Sequence, residues 1–373
     1  MLRLVRRGSD TSLGTQIEVR GVGAGAFDRR LWEAGALHLV RHAPAPLLAP
    51  REGTFRNIYA PSVVREKNQW RIFYGAWDGI PTGNDCLYQT TTADFCRFWN
   101  RQMVVSHGTF THVCNVSATR LRDGSYRLLA TAYPDTKGLN KPASFRAKET
   151  LLSAAPDDLI TLDGDPGFAD ADINGMNVVL QEEDAFRLYY ADFKRFGTTW
   201  RASSRDGKHF TRDATALAFP GMVNDVRKLG STYLMALHAN TDRLWFSLSD
   251  EGKTFDSPKL LLTSAAPEER YIVAAGLVED GKRVLGVLYG AGPVPSLDHN
   301  AIFARWLQKK VVFRTATQDL LADAAYGPDR VRLTLPENSR TGRFLLFAED
   351  GKTILTESPE LTLTPGQLWE LKS

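Results

Sequence analysis

Five stretches of this 373-residue chain repeat one plan: an alternating apolar run, a tight polar turn, and a second alternating run. They are APSVVREKNQWRIFYGA, SATRLRDGSYRLLATAY, NVVLQEEDAFRLYYADF, VNDVRKLGSTYLMALHA and AAGLVEDGKRVLGVLYG. Alternation of period two reads as β-strand, and Asp-Gly between two such runs (Asp123-Gly124, Asp280-Gly281) reads as a hairpin. Aligned on Ala60, Asn115, Gly175, Asp225 and Ala275, the hairpins recur roughly every 50–60 residues. Three are followed by a further strand and a turn of common form, TTADFCRF (91–98), SSRDGKHF (203–210) and LSDEGKTF (248–255). Each has a hydroxyl residue, an acidic residue in a tight turn, then Phe.

A recurring unit of this length with about four strands is the sequence form of a propeller blade. The expected fold is therefore all-β: a five-bladed β-propeller over residues 45–315, with inner strands beginning near 57, 112, 172, 223 and 270. A β-sandwich is the alternative, but sandwiches do not repeat a whole four-strand unit. Residues 1–44 are expected to form an N-terminal extension that packs on the propeller or closes its ring. A helical rhythm is found only in AFDRRLWEAGAL (26–37) and TQDLLADAAYG (317–327). Residues 316–373 therefore read as a linker helix followed by a small C-terminal β module.

Composition narrows the function. Lys+Arg 46 against Asp+Glu 43 is nearly balanced, which argues against a basic nucleic-acid wrap and an acidic disordered tail. The three cysteines, Cys86, Cys96 and Cys114, lack CxxC spacing and are too few for a disulfide framework. No apolar run approaches the ~18 residues of a membrane span. The opening MLRLVRRGSD has charge but no apolar h-region, which fits a cytoplasmic chain or one whose leader has been removed.

Propeller topology places the site without a motif. Within a blade the start of the inner strand, the end of the second strand and the following loop share one face. Ligand sites gather there, around the central channel. Polar residues are concentrated at those places. Inner-strand starts carry Asn57 and Tyr59, His112 and Asn115, Asp172 and Asn174, Asn224 and Asp225, then Glu268, Glu269 and Arg270. Second-strand ends carry Trp77 and Asp78, Tyr133 and Asp135, Asp192, then His238, Asn240 and Asp242. Loops beyond them add Asn84, Asp85, Asp298 and His299.

Carboxylates crowded in one channel cannot all ionise, so one stays protonated as an acid while another acts as base or nucleophile. Glycoside hydrolysis needs such a pair, and Trp77, Tyr59 and Tyr133 offer flat faces for sugar rings. Against this stands the ordinary role of Asp and Asn at strand ends, which is to satisfy turn backbone groups. The histidines are scattered, no nucleotide-binding motif or GxSxG is present, and DGDPGFADAD (163–172) lacks the twelfth-position Glu of a calcium loop. No cofactor is expected, although a structural Ca²⁺ in the channel is compatible with the carboxylates and amides.

APSVV, WRIFYGAWDG, the Asn84-Asp85 pair before LYQTTTADF, and HVCNVSATRLRDGSYRLLATAY together resemble the five-bladed-propeller glycoside hydrolases (families 43, 32, 68 and relatives) over about residues 45–315. The resemblance implies a funnel-shaped carbohydrate site with an acid/base pair of carboxylates and a third that tunes the acid. The chain departs from that pattern. Asn57 stands where a first-blade Asp is usual, Asn115 is followed by Val116 rather than Pro, and the third blade offers Asp172 in place of a Glu.

The expected function is thus a glycosidase of divergent type. Asp172 and Asp225 are the assigned catalytic pair, with Asp78 and Glu269 as the other candidate acid or base. Asn57, Tyr59, Trp77, Asp85, His112, Asn115, Asn224, His238 and Arg270 are expected to bind substrate. Asp78, Asp85, His112, Asp172, Asp225 and Glu269 are expected to line one concavity. The expected partner is a carbohydrate, not nucleic acid or membrane, and the oligomeric state is open. The alternatives are a non-catalytic glycan-binding propeller and a protein-interaction propeller.

Overall fold

In the computed structural model the described residues are 3–50, 56–80, 83–133, 139–148, 150–174, 177–295, 298–322, 324–337 and 340–372. Asp135 and the alignment position Gly175 lie outside them. The chain is nearly all β and follows a propeller-like plan. Five antiparallel sheets succeed one another, and each begins with one of the expected strands: Asn57–Arg65, Val113–Arg120, Asn177–Glu182, Met222–Leu229 and Tyr271–Asp280. Each first strand touches the first strands of the neighbouring sheets, and Tyr271–Asp280 comes back against Asn57–Arg65.

The second sheet has three strands, Val113–Arg120, Tyr126–Ala132 and Lys141–Ala147. Its following segment touches it at the Ala143–Leu159 bridge and otherwise serves the neighbours. Leu152–Ser153 extends the first sheet and Thr161–Asp163 the third, both in parallel. The fifth sheet is completed by Leu39–Arg41, which pairs with Ala301–Leu307. The N-terminal part thus supplies the outermost strand of the last sheet.

The common turns have a common cause. Thr92, Ser204 and Ser249 each accept, through the side-chain hydroxyl, the N–H three residues on, at 2.8, 2.9 and 2.9 Å. The donor residue sits in the left-handed region each time: Phe95 (φ 58°), Gly207 (75°) and Gly252 (65°). A side chain at that φ carries strain, which Phe95 offsets by burying its ring between Trp70 and Trp306 at 4.9 and 4.7 Å.

Four of the five first strands carry a β-bulge near their start: between Tyr59 and Ser62, Cys114 and Ser117, Val223 and Asp225, and Ile272 and Ala274. A bulge bends the strand and re-aims the side chains beside it. The residue just past the bulge then ties adjacent first strands together. Ser62 Oγ accepts from Ala118 N (2.9 Å), Ser117 Oγ from Val179 N (3.1 Å) and Asp225 Oδ2 from Leu277 N (2.9 Å). Where the ring closes, Gly276 lies so near Asn57–Arg65 that a Cβ would stand 2.2 Å from the Pro61 carbonyl oxygen. Backbone cannot yield there as a flexible side chain does. Gly276→Val is expected to cost about 3 kcal/mol in urea denaturation; an unchanged midpoint would show that the strands do not pack as described.

Two expectations about the ends are corrected. TQDLLADAAYG is not helical: it supplies strands Asp319–Leu321 and Ala324–Ala325. Its helix-forming residues are overridden by strand pairing and by packing of Leu320, Ala322 and Ala325 on the main core. Nor do residues 1–44 act as one extension. Arg3–Ser9 and Gln16–Arg20 enter a sheet with Arg330–Thr334 and Gln367–Lys372, so the terminal module is built from both ends of the chain. Its core, including Phe313, Phe344 and Trp369, is continuous with Ile72, Ile302 and Trp306 of the first and fifth sheets. The helix expected within 26–37 is found at Arg29–Ala34, capped by Asp28 and ended by Gly35 at φ 65°. No helix among the described residues is long and apolar enough to cross a membrane.

Candidate active site

At the end where the first strands begin, an apolar wall forms from Tyr59, Ala60, Cys114, Val273 and Ala274, with Trp77 and Tyr271 half-buried against them. These residues come from the first, second and fifth sheets. Tyr271 and Cys114 were not foreseen as part of it.

Set into this wall is Asp85, only 6% exposed. The Tyr59 hydroxyl donates to its Oδ1. Burial raises its pKa to about 7, against the opposing hydrogen bonds from the backbone of Asp85 and Asn84. Asp85 thus keeps its proton well above the usual carboxylate range. The loop that carries it is clamped by Asp78, which is exposed and accepts from Asn84 Nδ2 (2.8 Å) and Ile80 N (3.0 Å). Asp78 is therefore a loop staple.

Beyond Asp85 runs a line of polar contacts. His112 Nδ1 stands 3.8 Å from Asp85 Oδ2, and His112 Nε2 is 3.0 Å from Asn140 Oδ1. Asn140 donates twice to Asp172 Oδ1, from its backbone N (3.0 Å) and from Nδ2 (2.8 Å). Because Asp172 takes the amide N–H₂, the Asn140 oxygen must face His112, so Nε2 carries the ring hydrogen and Nδ1 is bare toward Asp85. Burial lowers the His112 pKa, with the Asn140 contact opposing it. The combination favours protonated Asp85 beside a neutral imidazole. Asp172 is fixed in turn by Asp192, whose Oδ1 accepts its backbone N at 2.9 Å and whose Oδ2 is held by Arg195 at 2.7 Å. Asn140 escaped the sequence reading although it lies in a second-strand loop, the position that topology assigns to this face.

Amides complete the rim. Asn115, at the bulge with φ 54°, donates to Asn174 Oδ1 at 3.3 Å. His238 is buried between Asn224 and Asn240, with ring nitrogens 2.9 and 3.0 Å from their oxygens. Tyr133 stacks at a tilt on His112, with ring centres 5.1 Å apart.

Of the six residues expected in one concavity, Asp85, His112 and Asp172 are joined by this line of contacts, while Asp78 holds its loop and Asp225 and Glu269 are bound elsewhere. Asp225 lies deeper in the channel. Arg227 donates to it from Nε (3.0 Å) and reaches across to the Val63 carbonyl (2.8 Å), while Glu279 stands 3.7 Å away. This buried group joins the fourth, fifth and first sheets. Glu269 is 0% exposed and points into the fifth sheet, bound by Tyr289, by Arg305 (2.5 Å) and by Ala265 N (3.0 Å). Asn57 is also 0% exposed, and its Oδ1 accepts Asn300 N (2.9 Å), sewing the first strand to the fifth sheet. Arg270 is exposed at the end of a short 3₁₀ turn. Asn57 and Glu269 have no solvent contact and so do not meet a substrate directly in this conformation, while the Asp225 carboxyl is taken up by Arg227 and Leu277 N.

Cavities are also found elsewhere on the molecule. One of about 650 Å³ opens at the opposite end between the third and fourth sheets, and one of about 420 Å³ lies beside the helix Arg29–Ala34. Neither gathers a protonated carboxyl and an aromatic wall.

No family model matches the chain, and no curated protein matches it. Solved structures do. The catalytic domain of a Coprinopsis cinerea GH62 α-L-arabinofuranosidase is 13% identical, with TM-score 0.53 over 74% of this chain and 98% of its own. An α-L-arabinofuranosidase of Podospora anserina, solved with cellotriose, gives 12% and 0.53 over 73% and 97%. A glycosyl hydrolase from Bacteroides ovatus gives 10% and 0.54 over 72% and 93%. The chain therefore shares its fold with propeller-type glycoside hydrolases.

Proposed function

We propose that the chain is a five-bladed propeller glycoside hydrolase that acts on a neutral glycoside, with Asp85 as the proton donor. The observation that carries this reading is Asp85 itself: a buried carboxyl with its pKa near 7, held by Tyr59 in a wall with Trp77 and Tyr271. A glycosidic oxygen is a poor leaving group unless it is protonated as the bond breaks. An acid that keeps its proton near neutral pH is suited to supply it. Asp172 is the proposed base. One of its oxygens is occupied by Asn140, and the other has no protein partner among the described residues. In this reading Asp85 gives its proton to the leaving oxygen while Asp172 takes one from water. Water returns a proton to Asp85 after release, and His112, neutral and bare at Nδ1, stands beside it as an acceptor.

A second reading, glycan binding without cleavage, is favoured by the amides Asn115, Asn174, Asn224 and Asn240 at the rim. One screen separates the two. The purified protein is assayed on a panel of 4-nitrophenyl furanosides and pyranosides, with direct binding of arabino- and xylo-oligosaccharides measured in parallel. Release of nitrophenol from at least one neutral glycoside is expected. Binding without any release would replace the hydrolase by the binding module.

A further inference from the structure

His238 is only 3% exposed, yet both of its ring nitrogens face amide oxygens: Nδ1 faces Asn224 at 2.9 Å and Nε2 faces Asn240 at 3.0 Å. A neutral imidazole has one N–H and one bare nitrogen, so it donates to one amide oxygen and must accept from the other amide's N–H₂. Burial lowers the His238 pKa to about 4, so the ring is neutral across the physiological range. The two amides are thereby held in opposite senses. One presents its N–H₂ outward and the other its carbonyl oxygen.

Both asparagines are half-exposed, and neither has another side-chain partner among the described residues. Asn224 sits at the bulge of its strand, the position that Asn115 holds in the second sheet. Asn240 takes φ 51°, which turns it back toward the same end. Each hydroxyl of a sugar both donates and accepts, so a fixed donor beside a fixed acceptor matches two adjacent hydroxyls.

We propose that Asn224 and Asn240, set in opposite senses by His238, form a subsite that grips vicinal hydroxyls of a neutral sugar ring. This rests on the reading that this end of the channel takes carbohydrate. His238 is a positioning residue, acting through the two amides it orients. With no charge on Asn224, His238 or Asn240, a uronic acid gains nothing over its neutral counterpart here.

The test measures dissociation constants for the same arabino- and xylo-oligosaccharides, with KM and kcat on any glycoside that is cleaved. The variants are Asn224→Ala, Asn240→Ala, His238→Gln and His238→Phe, each checked for an unchanged melting temperature. Either Ala variant is expected to weaken binding about tenfold or more and to raise KM with kcat largely kept. Gln both donates and accepts, so His238→Gln is expected to stay within about threefold of wild type, while His238→Phe falls with the Ala variants. Unchanged affinity in both Ala variants would overturn the subsite even if hydrolysis is found. Loss of binding in them, with no hydrolysis by wild type, would uphold the subsite and defeat the hydrolase reading. A wild-type protein that binds no sugar of the panel overturns both.

Discussion

Asp85→Asn is expected to lower turnover on unactivated glycosides by about 10²–10⁴-fold while sugar binding is kept. The amide preserves the shape and still accepts from Tyr59, but it has no proton to give. The same assignment fixes the sign of the pH dependence. The acid works only when protonated, so wild-type kcat/KM should fall as pH rises through about 7, where Asp85 ionises.

Stability offers an independent reading of the same group. The folded chain holds the Asp85 proton up to about pH 7, whereas the unfolded chain releases it near the ordinary value of 3.8. Between those limits the folded state binds more protons, so the stability due to this group is lost as pH rises. Removing the ionisable group should therefore favour the variant progressively. The stability difference between Asp85→Asn and wild type should grow between about pH 4 and pH 7 and then level off, reaching on the order of 4 kcal/mol at full ionisation. His42 and His238, both lowered to about 4 by burial, titrate alike in the two proteins and cancel in the difference.

Asp225→Ala is expected to act on folding rather than turnover, with a loss of about 3–5 kcal/mol. It would leave Arg227 buried opposite the Val63 carbonyl and free the Leu277 N–H. Burial works against the Arg227 charge, and Asp225 and Glu279 more than offset it, so its pKa is raised. With Asp225 gone, Glu279 alone remains, itself pushed toward the neutral form by burial. Chemical denaturation should show the loss directly. A variant of native stability that is catalytically dead would return Asp225 to the mechanism.

The repeat was legible because hairpins are local. An alternating run, a turn and a second run lie within about 17 residues, and the first strands begin within a few residues of their expected positions. The missing fourth strand of the second sheet was not legible. Leu152–Ser153 and Thr161–Asp163 pair with strands far away in sequence, and nothing local distinguishes them. The same holds for TQDLLADAAYG, where pairing partners outweigh helix preference.

In the candidate site, topology pointed to one end of the channel, and Asp85, His112 and Asp172 at that end are joined by contacts. It did not tell a carboxylate that faces the channel from one that faces a neighbouring strand. Asp225 follows a bulge, and that one-residue shift turns it toward Arg227. Its counterparts Ser62 and Ser117 occupy the same station past their bulges, which marks the position as an inter-strand tie. A second repeated device also passed unnoticed. Glu66 with Arg71 and Tyr126, and Glu182 with Arg187 and Tyr233, staple neighbouring hairpins at the far end. Those glutamates lie in the turns REKNQ and QEED that read as ordinary solvent-facing charge.

The most direct test of Asp85 as proton donor compares leaving groups. Wild type and Asp85→Asn are assayed on an alkyl or sugar glycoside, whose oxygen needs protonation, and on the 2,4-dinitrophenyl glycoside of the same sugar, whose phenolate departs without it. The account predicts a loss of about 10²–10⁴-fold on the first and a far smaller loss on the second. Equal losses on both substrates would contradict it.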